Sequence, residues 1–168
     1  MNTSDLNAMD RAAFVAALGG IFEHSPWVAE QALDARPVAN IDALHAAMMA
    51  AVRSAPADRR LALLRAHPEL AGRAAIRGEL TIDSTREQSG AGLDQCSPQE
   101  FERLTALNAE YNAKFGFPFI LAVKGYDRAG ILREFTRRVG NEPAAEYEEA
   151  LAQIARITRL RLDALVRD

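Results

Sequence analysis

The chain has 168 residues, of which 49% are hydrophobic and 26% are charged, and its formal net charge is -3. This length suits one domain with a buried core, and this composition excludes a disordered or fibrous chain. The slight acidity, with basic residues scattered along the chain, excludes the positive patch that nucleic-acid binding needs. We therefore expect a single folded domain over residues 1–168 that has no nucleic acid as a partner.

The single cysteine, Cys96, excludes an internal disulfide framework and a metal site built from several cysteines. Charged residues follow Met1 before any apolar stretch, so we expect no secretory signal. The longest apolar stretches, around 46–52 and 117–123, are too short to cross a bilayer. These features predict a cytoplasmic protein with no membrane partner.

Four helices are predicted in the first half of the chain, each bounded by a capping residue, a proline or a glycine. Their ranges are 10–18, 25–37, 40–53 and 56–67. Asp10, Ser25 and Asn40 have side chains that can accept a hydrogen bond from the first turn, so they are the predicted helix caps. Pro26 follows Ser25 and suits the first helical position.

Four more helices are predicted in the second half, which begin at Ser84, Ser97, Asp127 and Pro143. Glu87 and Glu100 follow the two serines at the spacing of a capping box. Alternating strand patterns are almost absent, so the predicted fold class is all-α, a single-domain bundle of about seven to nine helices. The apolar run 117–123 has no partner strand and is predicted to be a buried extended connector.

The last predicted helix places one arginine among apolar residues. At about 100° per residue, Arg161 falls on the face formed by Leu151, Ile154, Thr158, Leu162 and Leu165. A buried arginine needs an anion. One interpretation is an internal ion pair with a carboxylate such as Glu87 or Glu134. The other is a site for a substrate carboxylate, which the forked guanidinium group suits.

His67 precedes Pro68, whose ring disfavours helical geometry in the residue before it, so the imidazole is predicted at a helix carboxyl end. There it is either a structural cap or an acid and base that works near neutral pH. Glu87 is either the capping-box partner of Ser84 or part of a ligand-binding wall beside Gln88. No P-loop, HExxH, EF-hand loop or GxSxG motif occurs, so neither metal chemistry nor nucleotide chemistry is predicted.

Three stretches together resemble one known family. They are LRAHPELAG at 64–72, STREQSGAGL at 84–93 and YNAKFGFPFI at 111–120. In this order they resemble the OHCU decarboxylase family, which acts on 2-oxo-4-hydroxy-4-carboxy-5-ureidoimidazoline (OHCU) to give allantoin in urate breakdown. Weaker matches, which include FEHSPW at 22–27 and LRL at 160–162, extend the resemblance across nearly the whole chain.

The resemblance implies an all-helical homodimer that decarboxylates a small-molecule substrate, OHCU, to (S)-allantoin without a cofactor or a metal. It implies that His67 is the catalytic acid or base and that Glu87 and Arg161 support it. It also implies substrate contacts from Pro68, Ser84, Thr85, Arg86, Glu87, Gln88, Phe119, Ile120, Leu121, Ala122 and Val123. Two rival hypotheses are a helical module that binds an anion without turnover and a purely structural interaction protein.

Overall fold

The computed structural model describes residues 1–167, so the last residue of the predicted domain lies outside the described residues. Its regular structure is helical, and no β-strand occurs within residues 1–167. The helices are α1 (Thr3–Ala8), α2 (Arg11–Leu18), α3 (Trp27–Ala32), α4 (Ile41–Ser54), α5 (Ala57–Ala66), α6 (Arg73–Arg77), α7 (Ile82–Gly90), α8 (Pro98–Phe115), α9 (Arg128–Val139) and α10 (Pro143–Leu165). The all-α prediction is confirmed. Sequence reasoning missed the two short helices α1 and α6.

The chain forms two compact units. The first contains Met1–Ala66 together with the chain from Ala155 onward, and the second contains His67–Ile154. The prediction of one domain stays a prediction. Within residues 1–167, no helix is both long enough and apolar enough to span a membrane.

Helix caps shape the first unit. The side chains of Asp10 and Asn40 each accept the backbone amide three residues further on, at 2.8 Å, and so start α2 and α4 as predicted. The predicted cap at Ser25 is wrong, because α3 begins only at Trp27. The Ser25 hydroxyl instead donates to the carbonyl of Glu23 at 2.9 Å, within the preceding turn.

The second unit contains two segments with capping-box spacing, and only one of them is a capping box. Ser97 and Glu100 bond each other's backbone amides at the start of α8, at 2.9 and 3.1 Å, as predicted. The predicted box at Ser84 is wrong. Thr81 caps α7 instead and accepts the amide of Ser84 at 3.3 Å, so Ser84 already lies inside the first helical turn.

The core of the second unit is an aromatic cluster on Tyr111 of α8. Its ring lies 4.6 to 5.8 Å, between centroids, from the rings of Phe115, Phe117, Phe119 and Phe135. Two of these rings belong to the segment 117–123, which is buried throughout and forms neither helix nor strand. The prediction of a buried connector is therefore confirmed.

Candidate functional site

His67 is the first residue of the second unit and stands between the end of α5 and Pro68, as predicted. Its side chain is buried, and so is the ring atom Nε2. This placement suits catalysis and a structural role equally, so the choice depends on its surroundings.

The loop after His67 is tied to α7 by the side-chain amide of Gln88. The Gln88 Oε1 atom accepts the backbone amide of Ala71 at 2.9 Å, and Nε2 donates to the carbonyl of Glu69 at 3.1 Å. Gln88 itself is buried. Both ends of the amide therefore hold backbone, which makes Gln88 a residue that positions the loop beside His67.

Helix α8 holds the same loop from two further side chains that sequence reasoning missed. Asn108 Nδ2 donates to the carbonyl of Leu70 at 3.0 Å. Asn112 Nδ2 donates to Glu69 Oε1 at 2.7 Å. The two asparagines are four residues apart and thus share one face of α8. Gln88 and Asn108 consequently hold the backbone of the loop after His67, and Asn112 holds the side chain of Glu69 in that loop.

The predicted contacts on α7 divide between two faces. Ser84, Glu87 and Gln88 lie at helical spacing on one face, where Ser84 and Gln88 are buried and Glu87 is half-buried. Thr85 and Arg86 are exposed. The Thr85 hydroxyl donates to the backbone of the preceding turn at 2.9 Å, and Arg86 pairs at the surface with an aspartate three residues earlier. Only the first face thus continues the wall formed by Gln88.

A cavity of about 380 Å³ lies within the second unit, and Thr85 and Gln88 form part of its lining. The rest of the lining is mostly apolar and includes Ile76, Leu93 and Phe101. None of the three predicted catalytic residues lines it. The cavity therefore includes two of the predicted substrate contacts but none of the predicted catalytic residues.

Part of the backbone of the predicted substrate segment 119–123 forms hydrogen bonds with side chains of the second unit. The carbonyl of Ile120 accepts Arg138 Nη1 at 2.5 Å, and the amide of Ala122 donates to Gln153 Oε1 at 3.0 Å. The amide of Ala122 is therefore satisfied within its own unit, and the substrate contacts expected from 119–123 stay a prediction. Within residues 1–167, the amides of Leu121 and Val123 donate no hydrogen bond to protein.

Arg161 lies in the first unit and is buried, as the helical pattern predicts. Its Nη1 atom donates to Glu23 Oε2 at 2.9 Å and to the carbonyl of Ile21 at 3.3 Å. The side chains of Arg161 and Glu23 are only 5% and 2% exposed. Because both charges are removed from water, each requires the other.

The ion-pair interpretation of Arg161 expected a carboxylate such as Glu87 or Glu134 as its partner, and the structure shows a different one. The carboxylate on Arg161 Nη1 is that of Glu23, rather than that of Glu87 or Glu134. Glu134 instead pairs with Arg137, one turn further along α9, at 2.5 Å. Glu23 belongs to the stretch FEHSPW at 22–27, which carries one of the weaker family matches, and this was the only signal for it.

The predicted catalytic residues are thus distributed over both units. His67 and Glu87 belong to the second unit, and Arg161 belongs to the first. Within residues 1–167, no group of three or more His, Cys, Asp or Glu side chains is arranged to hold a metal ion.

Comparison with known sequences gives consistent results over nearly the full length. The sequence model of a family described as OHCU decarboxylase matches residues 7–163. A 2-oxo-4-hydroxy-4-carboxy-5-ureidoimidazoline decarboxylase from Haloferax volcanii is 41% identical over 162 residues, which are 96% of this chain and 94% of that protein.

Two solved structures share the fold. A crystal structure of (S)-allantoin synthase is similar with a TM-score of 0.81 and 32% identity, over 99% of this chain. The present chain spans 54% of that longer chain. A crystal structure of OHCU decarboxylase in the presence of (S)-allantoin has a TM-score of 0.68 at 24% identity, over 94% of this chain and 98% of that one.

Proposed function

Since the chain belongs to the OHCU decarboxylase family, we propose that it is a carboxy-lyase that converts OHCU to (S)-allantoin in urate breakdown. The observation that carries this proposal is the family match over residues 7–163, which includes His67, Glu87 and Arg161. The local geometry supports it, because side chains from two helices hold the loop after His67.

The reaction breaks the bond between a ring carbon and its carboxylate. Carbon dioxide leaves, and the electron pair moves toward the adjacent imine of the substrate. The resulting enol loses its hydroxyl proton and gains a proton at the carbon that carries the ureido group, which yields allantoin. Because the substrate supplies its own electron sink, the proposed reaction needs no cofactor.

His67 is the proposed acid or base for these proton transfers, a contribution worth about 10²–10⁴-fold in rate. Proton delivery to one face of the planar intermediate gives a single enantiomer. Glu87 is the proposed partner of the imidazole or of a ring nitrogen. Its support is its place on the face of α7 where Gln88 grips the loop after His67.

Arg161 is the proposed group that orients the substrate carboxylate. A guanidinium presents several N–H donors in a rigid fork and binds carboxylates with charge-assisted hydrogen bonds. The contacts with Glu23 and Ile21 both involve Nη1, so these two hydrogen bonds fix the position of that guanidinium nitrogen. This anchor fixes the direction in which the guanidinium group lies.

The remaining proposed contacts bind the uncharged parts of the substrate. The amides of Leu121 and Val123 suit its carbonyl oxygens, because a buried amide is stable only when an acceptor satisfies it. Further proposed contacts are Pro68, Ser84, Gln88, Phe119 and Ile120. Thr85 and Arg86 are less favoured because both are exposed.

We also propose a homodimer in the cytoplasm. The dimer follows from the family resemblance, and the location follows from a single cysteine that suits a reducing compartment. Sedimentation velocity gives the mass of the assembly. Fractionation of the source cells gives the location.

The first experiment is circular dichroism at the allantoin band after the protein is added to OHCU freshly made from urate. We expect one allantoin enantiomer to appear much faster than the spontaneous racemic product. His67→Asn is expected to abolish this acceleration while the fold remains intact, and His24→Asn, at an exposed histidine, serves as the control.

The rival hypothesis of an anion-binding module gives a different result. Binding of OHCU or allantoin raises the melting temperature of such a protein, but the protein does not accelerate the decarboxylation of OHCU. No acceleration by folded wild-type protein contradicts the proposed function.

A further inference from the structure

Arg138 on α9 is a fully buried arginine that the proposed chemistry does not use. Its Nε and Nη2 atoms donate to Glu146 Oε1 at 2.9 and 2.5 Å, and Nη1 donates to the carbonyl of Ile120 at 2.5 Å. Both side chains of the ion pair are 0% exposed. A buried ion pair often adds little net stability compared with apolar side chains of the same size. We therefore expect the Arg138–Glu146 pair to matter mainly because it fixes the position of the groups that Arg138 contacts.

The Glu146 carboxylate is itself fixed from two further sides. The Tyr111 hydroxyl donates to Oε1, and Asn141 Nδ2 donates to Oε2 at 2.9 Å. Burial, together with the hydrogen bond to Glu146, raises the pKa of Tyr111, so its hydroxyl stays a donor. Because Glu146 is held in this way, the guanidinium of Arg138 has little freedom to rotate away from Ile120.

The residues on either side of Ile120 are held as well. The ring of Phe119 lies 4.5 Å from the Arg138 guanidinium carbon and stacks on Phe135 with 3.8 Å between centroids. The amide of Ala122 is bound by Gln153, a buried residue of α10. The segment is therefore fixed at the side chain of Phe119 and at the backbone of Ile120 and Ala122.

We infer that Arg138 and Gln153 are positioning residues, which hold the connector 119–123 so that the amides of Leu121 and Val123 meet carbonyl oxygens of the substrate. This inference rests on the proposed function. An alternating pattern along the backbone supports this inference. The carbonyl of Ile120 and the amide of Ala122 bond to Arg138 and Gln153. The amides of Leu121 and Val123 between and after them donate to no protein group within residues 1–167. A misplacement of about 1 Å in such a contact costs roughly 10²-fold in rate.

Two variants test the two anchors separately. Arg138→Lys keeps the charge beside Glu146 but lacks the fork that reaches both Glu146 and Ile120. Gln153→Met keeps the size of the side chain but removes the acceptor for the Ala122 amide, whereas Gln153→Glu restores an acceptor. Arg137→Lys is the control, because Arg137 precedes Arg138 on the same helix and is 50% exposed.

We expect Arg138→Lys and Gln153→Met to raise KM and to lower kcat/KM per folded molecule by about 10- to 100-fold. Gln153→Glu is expected to recover much of that loss, and Arg137→Lys to stay within about twofold. Because both anchors hold one segment, the double variant should lose less than the product of the two single losses. Faster hydrogen exchange at Leu121 and Val123 in both single variants would show the released backbone directly.

A lower melting temperature with unchanged kcat/KM in both folded variants overturns the inference, because the anchors are then merely structural. If Arg138→Lys fails to fold, the kcat/KM of Gln153→Met still tests the inference, because that substitution changes no charge. An active wild type with unaffected variants contradicts only this inference. An inactive wild type contradicts the proposed function as well.

Discussion

Each unit of the molecule contains a buried pair of arginine and glutamate, and the two pairs are built differently. In the first unit, Arg161 contacts Glu23 and a backbone carbonyl through Nη1. In the second, Arg138 contacts Glu146 through Nε and Nη2 while Nη1 binds the backbone of the connector. Burial and charge are alike in both pairs, so neither property identifies a catalytic arginine.

The two arginines differ in the role that we propose for each. All nitrogens of Arg138 bond to acceptors of its own unit, which is the arrangement of a group that holds structure. The contacts of Arg161 with Glu23 and Ile21 anchor one corner of its fork. Because Arg161 is the proposed contact of the substrate carboxylate and Arg138 acts only through the connector, we expect loss of Arg138 to cost more stability and loss of Arg161 to cost more activity.

The largest expected effect is the destabilisation caused by Arg138→Met. The substitution leaves the buried carboxylate of Glu146 without its cation, which costs about 3–5 kcal/mol. The free energy of unfolding from urea titration measures this loss. Arg137→Met is the matched control and should change stability by less than about 1 kcal/mol, because that pair is partly exposed. Equal losses in the two variants would contradict the structural role of Arg138.

Arg161→Lys is expected to lower kcat/KM by about 10²–10³-fold, the usual cost of a lost donor to a reacting charge. Stability should change less than in Arg138→Met, because lysine retains a positive charge for Glu23. The decarboxylation assay and a urea titration of the same sample give both quantities.

Arg159→Lys is the control on the same helix, since Arg159 pairs at the surface with Asp42 and Asp163. It should remain within about twofold of the wild type. Nearly full activity of Arg161→Lys would favour the alternative in which this arginine serves only its internal ion pair.

Sequence patterns predicted the helices better than they predicted their caps. Ser97 with Glu100 and Ser84 with Glu87 have the same spacing, yet only the first pair caps a helix. Thr81, three residues before Ser84, caps α7 instead. Local spacing therefore located both helices, but competition between neighbouring caps decided where α7 begins.

The partners of the buried charges were beyond local patterns. Arg161 was found because it interrupts an apolar helix face, whereas Glu23, 138 residues away in the sequence, has no such signal. Arg138 follows another arginine at the basic end of α9, where both suit the helix dipole equally. Only the packing of α9 with α10 and the connector shows that Arg138 is buried and Arg137 is not.

The effect of Glu23→Gln on KM tests whether Arg161, unlike Arg138, binds the substrate. The amide keeps the shape of the anchor but removes the charge that competes for Arg161. If a substrate carboxylate binds this guanidinium, we expect KM for OHCU to fall by several-fold, because the incoming anion then supplies the missing charge. Stability should fall by about 1–3 kcal/mol in the absence of substrate.

The matched variant is Glu146→Gln, which removes the corresponding charge from the second pair. It should lower stability without lowering KM, since Arg138 binds no substrate in the proposed arrangement. A KM that is unchanged in Glu23→Gln, or that falls in both variants, would remove Arg161 from the substrate site.

The smallest expected effect is a pH dependence of stability from His45 in the first unit. Burial lowers the pKa of His45 from its ordinary value of 6.5, and its Nε2 atom lies 3.1 Å from the Thr158 hydroxyl. The unfolded chain then binds the proton more readily than the folded chain, so stability is lost as the pH falls below that value. The melting temperature should decline between about pH 7 and pH 5, and less steeply in His45→Gln. A slope that His45→Gln leaves unchanged would assign the titration to another group.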